Sequence, residues 1–151
     1  MAIRIEKNGE AVYRRAVEKI SDPALVSLLE WMADEEVQHA VWFKELKQNY
    51  ESESLNPFGQ EMGRDFFEDF MGGQSFSLKE VDFSRVGRID ELIDIFIEFE
   101  EDGILFYEML QPFIQDQDTL EKLNKIIEEE KQHIEELREF LENETPLTEG
   151  Y

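Results

Sequence analysis

Six residues carry most of the chemistry this sequence offers. Glu36 and His39 stand three apart, and so do Glu130 and His133. A glutamate lies 30 residues before each motif glutamate: Glu6 ahead of Glu36, and Glu100 ahead of Glu130. A separation of three places both side chains of a Glu-x-x-His on one face of a helix, about one turn apart. Four carboxylates and two imidazoles are oxygen and nitrogen donors suited to a pair of metal ions held between helices. The chain's two histidines are both in the motif, and it has no cysteine. Disulfides, thiolate catalysis, zinc ribbons and Cys-ligated iron centres are therefore excluded within this sequence.

A lone Glu-x-x-His on an acidic helix is common and usually faces solvent. Here the face matters more than the spacing. The series Leu123, Ile126, Glu130, His133, Leu137, Leu141 steps by three or four, and so does Leu25, Leu28, Met32, Glu36, His39, Phe43, Leu46. Both motifs thus lie on apolar, core-facing stripes. Glu6 and Glu100 interrupt the stripes Ile3–Glu6–Gly9–Tyr13 and Ile97–Glu100–Gly103–Tyr107, and no Lys or Arg stands on these stripes at those levels. An unpaired buried carboxylate costs several kcal/mol or takes up a proton, so metal cations are the natural compensation. On this ligand set, two glutamates would bridge the metals, two would be terminal, and one histidine would bind each ion.

The residues around these six allow two readings each. Tyr13 and Tyr107 sit two turns beyond Glu6 and Glu100; they either fill the core or hydrogen-bond to a ligand carboxylate. Gly9 and Gly103 fall mid-helix, where glycine costs up to about 1 kcal/mol. They leave open space beside the metals or permit close helix packing. Glu35, Glu129, Glu101 and Asp102 adjoin the ligands and read as solvated or as supporting the site.

Helices must position all of these. Four amphipathic segments are expected: Ile3 to Ile20, Pro23 to Tyr50, Arg88 to Leu110, and Thr119 to Asn143. Asp22 is a natural N-cap with Pro23 at the first helical position. Asp118 with Glu121 has the form of a capping box for the fourth segment, and Pro112 ends or kinks the third. Only five residues precede Glu6, so either the first helix starts abruptly or the assigned start codon is too late. Residues 51–86 break the pattern with Pro57 and several glycines, yet carry six phenylalanines. That is too aromatic for a disordered linker, and a packed crossover with a short helix near Gly59–Phe70 is expected. The tail, 144–151, reads as frayed.

The segments are related. Shifting the chain by 94 residues superposes Glu6 on Glu100, Gly9 on Gly103, Tyr13 on Tyr107, Asp22 on Asp116, and Glu35, Glu36 and His39 on Glu129, Glu130 and His133. Without a gap, 13 of 48 positions from residue 3 to 50 are identical, where about three would coincide at average residue usage. Two copies of a helical hairpin (3–50 and 88–143) joined by a long crossover make a single all-α domain over 1–151. Each copy needs the other to bury its apolar face.

Composition limits the function further. A chain of 151 residues with 41% hydrophobic content suits one core. No apolar run approaches the roughly 20 residues of a membrane helix, and no signal-like h-region opens the chain, so a cytoplasmic protein without membrane partners is expected. A net charge of −22 repels phosphate backbones and argues against nucleic acid.

At these residues the chain resembles the rubrerythrin-like branch of the ferritin-like superfamily. The motifs are Glu6-x-x-Gly9-x-x-x-Tyr13 with Glu36-x-x-His39, and Glu100-x-x-Gly103-x-x-x-Tyr107 with Glu130-x-x-His133. The resemblance spans roughly residues 3–143. It implies a ferritin-like four-helix bundle holding two iron ions through Glu6, Glu36, His39, Glu100, Glu130 and His133, with manganese or mixed metals as alternatives. It also implies reduction of peroxide or dioxygen, or oxidation of Fe(II), and assembly as a homodimer. This sequence departs from rubrerythrins proper at two points. It has no Cys-ligated electron-delivering domain, so an external electron donor is expected. It also has Gly103 where those proteins add a carboxylate. Three readings follow: a di-iron oxidoreductase of peroxidase or ferroxidase type, an iron-handling or storage protein, and a non-catalytic metal-binding bundle.

Overall fold

The computed structural model describes residues 1–53 and 87–148, with the backbone alone at 49–53 and 144–148. Four long helices, one 3-10 turn and no strand occur among the described residues. They are α1 (Ala2–Val17), α2 (Pro23–Glu53), α3 (Ile89–Leu110), the 3-10 turn Gln111–Phe113, and α4 (Gln117–Thr148). The expected short helix near Gly59–Phe70 lies outside the described residues.

Each element begins where local chemistry allows. α1 starts at Ala2, with the Ile5 N–H bonded to the Met1 carbonyl, which puts Glu6 in the second turn. Asp22 caps α2: its Oδ1 accepts from the backbone N–H of Ala24 at 2.9 Å and Leu25 at 3.1 Å. The cap of α4 corrects the sequence expectation. Asp116, not Asp118, accepts from the Thr119 backbone N–H at 3.0 Å and from its hydroxyl at 2.6 Å. Asp116 is the residue the repeat superposes on Asp22. Pro112 converts the end of α3 to the 3-10 turn. α1 ends three residues before the expected Ile20, and α4 continues five beyond Asn143.

Two pairs of contacts fix the topology. The Tyr13 hydroxyl reaches Glu100 and the Tyr107 hydroxyl reaches Glu6, so α1 and α3 lie side by side and antiparallel. His39 meets Glu129 and His133 meets Glu35, which does the same for α2 and α4. α2 and α3 therefore both run opposite to α1. Two antiparallel hairpins packed together make an all-α, ferritin-like four-helix bundle.

The stripes read from the sequence meet in one core. Leu25, Leu29, Met32, Ile93, Phe96, Leu123, Ile126 and Leu137 are fully enclosed. Aromatic contacts brace it across the hairpins: Tyr13 meets Phe96 edge-on at 5.1 Å, and Phe43 stacks on Tyr107 at 5.1 Å.

A candidate two-metal centre

All six sequence-predicted donors converge midway along this core. Glu6, Glu36, His39, Glu100, Glu130 and His133 are each at most 4% exposed, and they are the core's buried charged residues among those described. Their ligand atoms fall into two groups within 4.8 Å: Glu6, Glu36, His39 and Glu130, and Glu36, Glu100, Glu130 and His133. Glu36 and Glu130 belong to both groups. Each group adds one further glutamate, from α1 or α3, and one histidine, from α2 or α4.

The repeat explains this doubling. His39 Nδ1 lies 3.1 Å from Glu130 and 3.5 Å from Glu6. His133 Nδ1 lies 3.1 Å from Glu130, 3.3 Å from Glu100 and 3.4 Å from Glu36. The far nitrogens are held equally. His39 Nε2 donates to Glu129 Oε2 at 2.6 Å and His133 Nε2 to Glu35 Oε2 at 2.5 Å, each across the two hairpins. A carboxylate only accepts, so Nε2 carries the proton. In the neutral ring Nδ1 then turns its lone pair toward the carboxylate cluster. Glu35 and Glu129 are half-buried supports of the imidazoles, which settles the two readings the sequence left open. Their position one residue before each motif glutamate, repeated in both hairpins, was the available signal. Glu101 instead pairs with Arg138 at 3.3 Å on the surface.

Both tyrosines support the site as well as the core. Tyr13 donates to Glu100 Oε1 at 2.5 Å, and Tyr107 donates to Glu6 Oε1. Burial first, and then Glu100 or Glu6 beside them, push both phenols well above their usual range, so they remain donors.

The cluster is electrostatically incomplete without cations. Glu6 Oε2, Glu36 Oε1 and Glu130 Oε2 are buried and lack any hydrogen-bond partner. Burial, then the charges of Glu130 and Glu6, push the Glu36 carboxyl well above the usual range. Burial and Glu130 push Glu100 up to about 8 against the opposing pull of His133. Burial raises Glu130 too, but hydrogen bonds from Glu100, His133 and His39 win and hold it below its ordinary value. Burial opposes charge on His39, yet Glu130 and Glu6 carry it up to about 11. His133 shifts upward for the same reason, with Glu100 as the largest attraction. Protons thus balance part of the negative charge this cluster encloses. Orphaned oxygens facing inward, together with two Nδ1 atoms that offer lone pairs once those protons are displaced, fit divalent metal ions.

The two halves differ in two places that the sequence repeat conceals. A Cβ on Gly9 would lie 3.4 Å from Glu36 Oε2, whereas one on Gly103 would meet only Ile5 at 3.8 Å and Tyr107 at 4.0 Å. The Trp31 ring stands edge-on to His133 at 5.2 Å. Its repeat counterpart is Lys125, 3.9 Å from Glu129. Sequence reasoning passed over Trp31, because an aromatic off the core stripe carries no motif.

Fold and site together define a ferritin-like bundle whose buried carboxylate–histidine clusters are suited to metal ions. A family model described as Rubrerythrin matches residues 1–141, and the chain belongs to the rubrerythrin family. No curated protein and no solved structure matches it. No helix among the described residues is long and apolar enough to cross a membrane.

Proposed function

We propose that this chain is a single ferritin-like domain acting as a di-iron oxidoreductase of rubrerythrin type, in which Glu36 and Glu130 would be shared between two iron ions. Glu6 and His39 would hold one ion with them, and Glu100 and His133 the other. The observation that carries this reading is the pair of four-residue donor groups sharing Glu36 and Glu130. Bound as a ferrous pair, iron would supply two electrons to hydrogen peroxide, which takes up two protons and leaves as two waters.

The chain's own residues define the surroundings for that reaction. Tyr13 and Tyr107 hold Glu100 and Glu6 in place and keep their hydroxyl protons next to the site. Glu35 and Glu129 fix the imidazole tautomer and aim Nδ1 inward. The packed shell of Phe96, Phe43 and Ile97 excludes bulk water. Electrons would come from an external donor, since the given sequence has no cysteine to hold a relay iron. A cytoplasmic setting suits a centre that has to be kept reduced.

Iron loading without oxygen, followed by a single addition of peroxide, tests the reading. Absorbance from an oxo-bridged ferric pair should appear at a rate at least a hundredfold above that of Glu36→Ala, an order of magnitude typical of a lost ligand. Equal rates would remove the reading. The net charge of −22 favours a second one, in which Fe(II) drawn to the acidic surface is itself the substrate. Continued Fe(II) oxidation beyond two ions per chain would select it.

A further inference from the structure

The two halves of the centre match in their donors and differ in what covers them. Trp31 stands over His133, and the repeat puts Lys125 at the corresponding position beside His39. Trp31 lies off the apolar stripe of α2 and is 36% exposed. Its ring nevertheless meets the His133 imidazole edge-on, with centroids 5.2 Å apart and planes at 79°. His133 itself has no exposed surface. A single exposed apolar side chain is ordinary on a protein surface. This one reaches from solvent to a buried ligand candidate in one aromatic contact. Lys125 offers only a saturated, largely exposed chain, 3.9 Å from Glu129. The chain's other tryptophan, Trp42, packs on Phe43 at 5.0 Å.

We infer that Trp31 is the port through which an external one-electron donor re-reduces the centre. The inference rests on the reading of that centre as a di-iron oxidoreductase. Reducing one hydrogen peroxide to two waters takes two electrons and two protons and leaves both ions ferric. Two donor molecules, each oxidised by one electron, restore the ferrous pair. Trp31 makes and breaks no bond and ends unchanged. Its ring touches solvent on one side and the imidazole on the other, so the electron crosses two π systems in contact and not a saturated side chain. His133 Nδ1 faces Glu100 and Glu130 at 3.3 and 3.1 Å, where a metal would be held. One port serves both ions: the His39 and His133 rings lie 6.5 Å apart and 24° from parallel, and Glu36 and Glu130 belong to both donor groups. Trp31 thus acts through His133, positioning the donor against it.

The rim of the port sets the donor's charge. Glu30 and Asp34 flank Trp31 at exposed positions of α2, and Glu35 is half-buried one turn further along. Arg14 offsets Asp34 at 3.1 Å, but the chain as a whole carries −22. A donor with a cationic surface around its redox group is steered to such a rim, and an anionic one is repelled. An indole suits the contact because it presents a large, rigid apolar face that loses little freedom on docking.

Stopped-flow reduction of the diferric chain tests the inference. Oxidising the iron-loaded protein with ferricyanide, and then removing the oxidant, makes the measurement independent of peroxide reactivity. Hexaammineruthenium(II), a cationic donor, should reduce the wild type faster than anionic ferrous EDTA, and added salt should narrow the difference. Trp31→Leu should slow reduction by about tenfold or more, the scale typical of losing a residue that supports a ligand, while helicity and iron uptake stay at wild-type levels. Trp31→Phe should recover most of the rate, and Lys125→Trp added to Trp31→Leu should restore it from the His39 side. A second readout needs no donor. In Trp42→Phe, Trp31 is the one tryptophan left. Its excited-state lifetime should be several times shorter beside ferric iron than beside zinc, because the excited indole passes an electron to ferric iron and recovers it, which zinc does not allow. Reduction indifferent to Trp31→Leu, a loss that Trp31→Phe does not recover, faster reduction by the anionic donor, or equal lifetimes with the two metals would each overturn it. A ferrous protein that peroxide fails to oxidise would instead remove the oxidoreductase reading alone.

Discussion

Gly9 and Gly103 occupy equivalent helical positions with different surroundings, and they separate packing from site geometry at single residues. Gly103 has room for a methyl group at ordinary contact distance, so Gly103→Ala should stabilise the chain by about 0.5–1 kcal/mol through helix propensity and leave metal uptake unchanged. Gly9→Ala gains the same propensity but sets a methyl against Glu36 Oε2. It should weaken metal binding by severalfold, read by competition with a chelator. Equal metal affinities in the two variants would show that the Gly9 contact does not constrain Glu36. Nothing in the residue order distinguishes these glycines, since the distinction depends on which rotamer Glu36 adopts in three dimensions. The six donors were legible residue by residue, because each replaces an apolar residue on a stripe of period 3.6.

At the scale of the element, helix ends are governed by short polar contacts that motif patterns capture incompletely. Asp118 with Glu121 matches the capping-box pattern, but Asp116 makes the cap. Both of its hydrogen bonds run to Thr119, and they lower its carboxyl pKa below the ordinary value. Asp116→Ala should lower the midpoint of chemical denaturation, as N-cap removals do, while Asp118→Ala should leave it nearly unchanged. A larger loss at Asp118 would contradict the assignment. The signal that finds the correct cap is the repeat itself: Asp116 aligns with Asp22, whose N-cap geometry the following Pro23 makes plain. Helix existence followed from periodicity, whereas helix ends depended on one or two hydrogen bonds each.

Across the whole molecule, the cost of enclosing four glutamates couples stability to protons and metal. Glu100 rises from 4.5 to about 8, so the folded metal-free chain holds a proton there that the unfolded chain has lost. That contribution is fully present below about pH 4.5 and disappears as pH rises through 8. His39 rises from 6.5 to about 11, and its contribution is present below 6.5 and lost as pH rises through 11. Both act in one direction. The metal-free protein should melt at a lower temperature at pH 9 than at pH 6, and metal should bind more tightly at pH 9 because it displaces those protons. A metal-free melting temperature that rises over this interval would contradict the protonation assigned to the cluster. The bundle and its pseudo-two-fold pairing were readable from the repeat. Which glutamates serve both halves was not, because sharing depends on the position of the α2–α4 interface and not on either helix alone.

The two donor groups share Glu36 and Glu130, so each of these would serve two metal ions while Glu6 and Glu100 would serve one. Native mass spectrometry during an oxygen-free Fe(II) titration tests it most directly. Two ions per chain are predicted for the wild type, at most one tightly held ion for Glu6→Ala, and no tightly held ion for Glu36→Ala. A wild type saturating at one ion, or a Glu36→Ala variant that still takes up two, would contradict it.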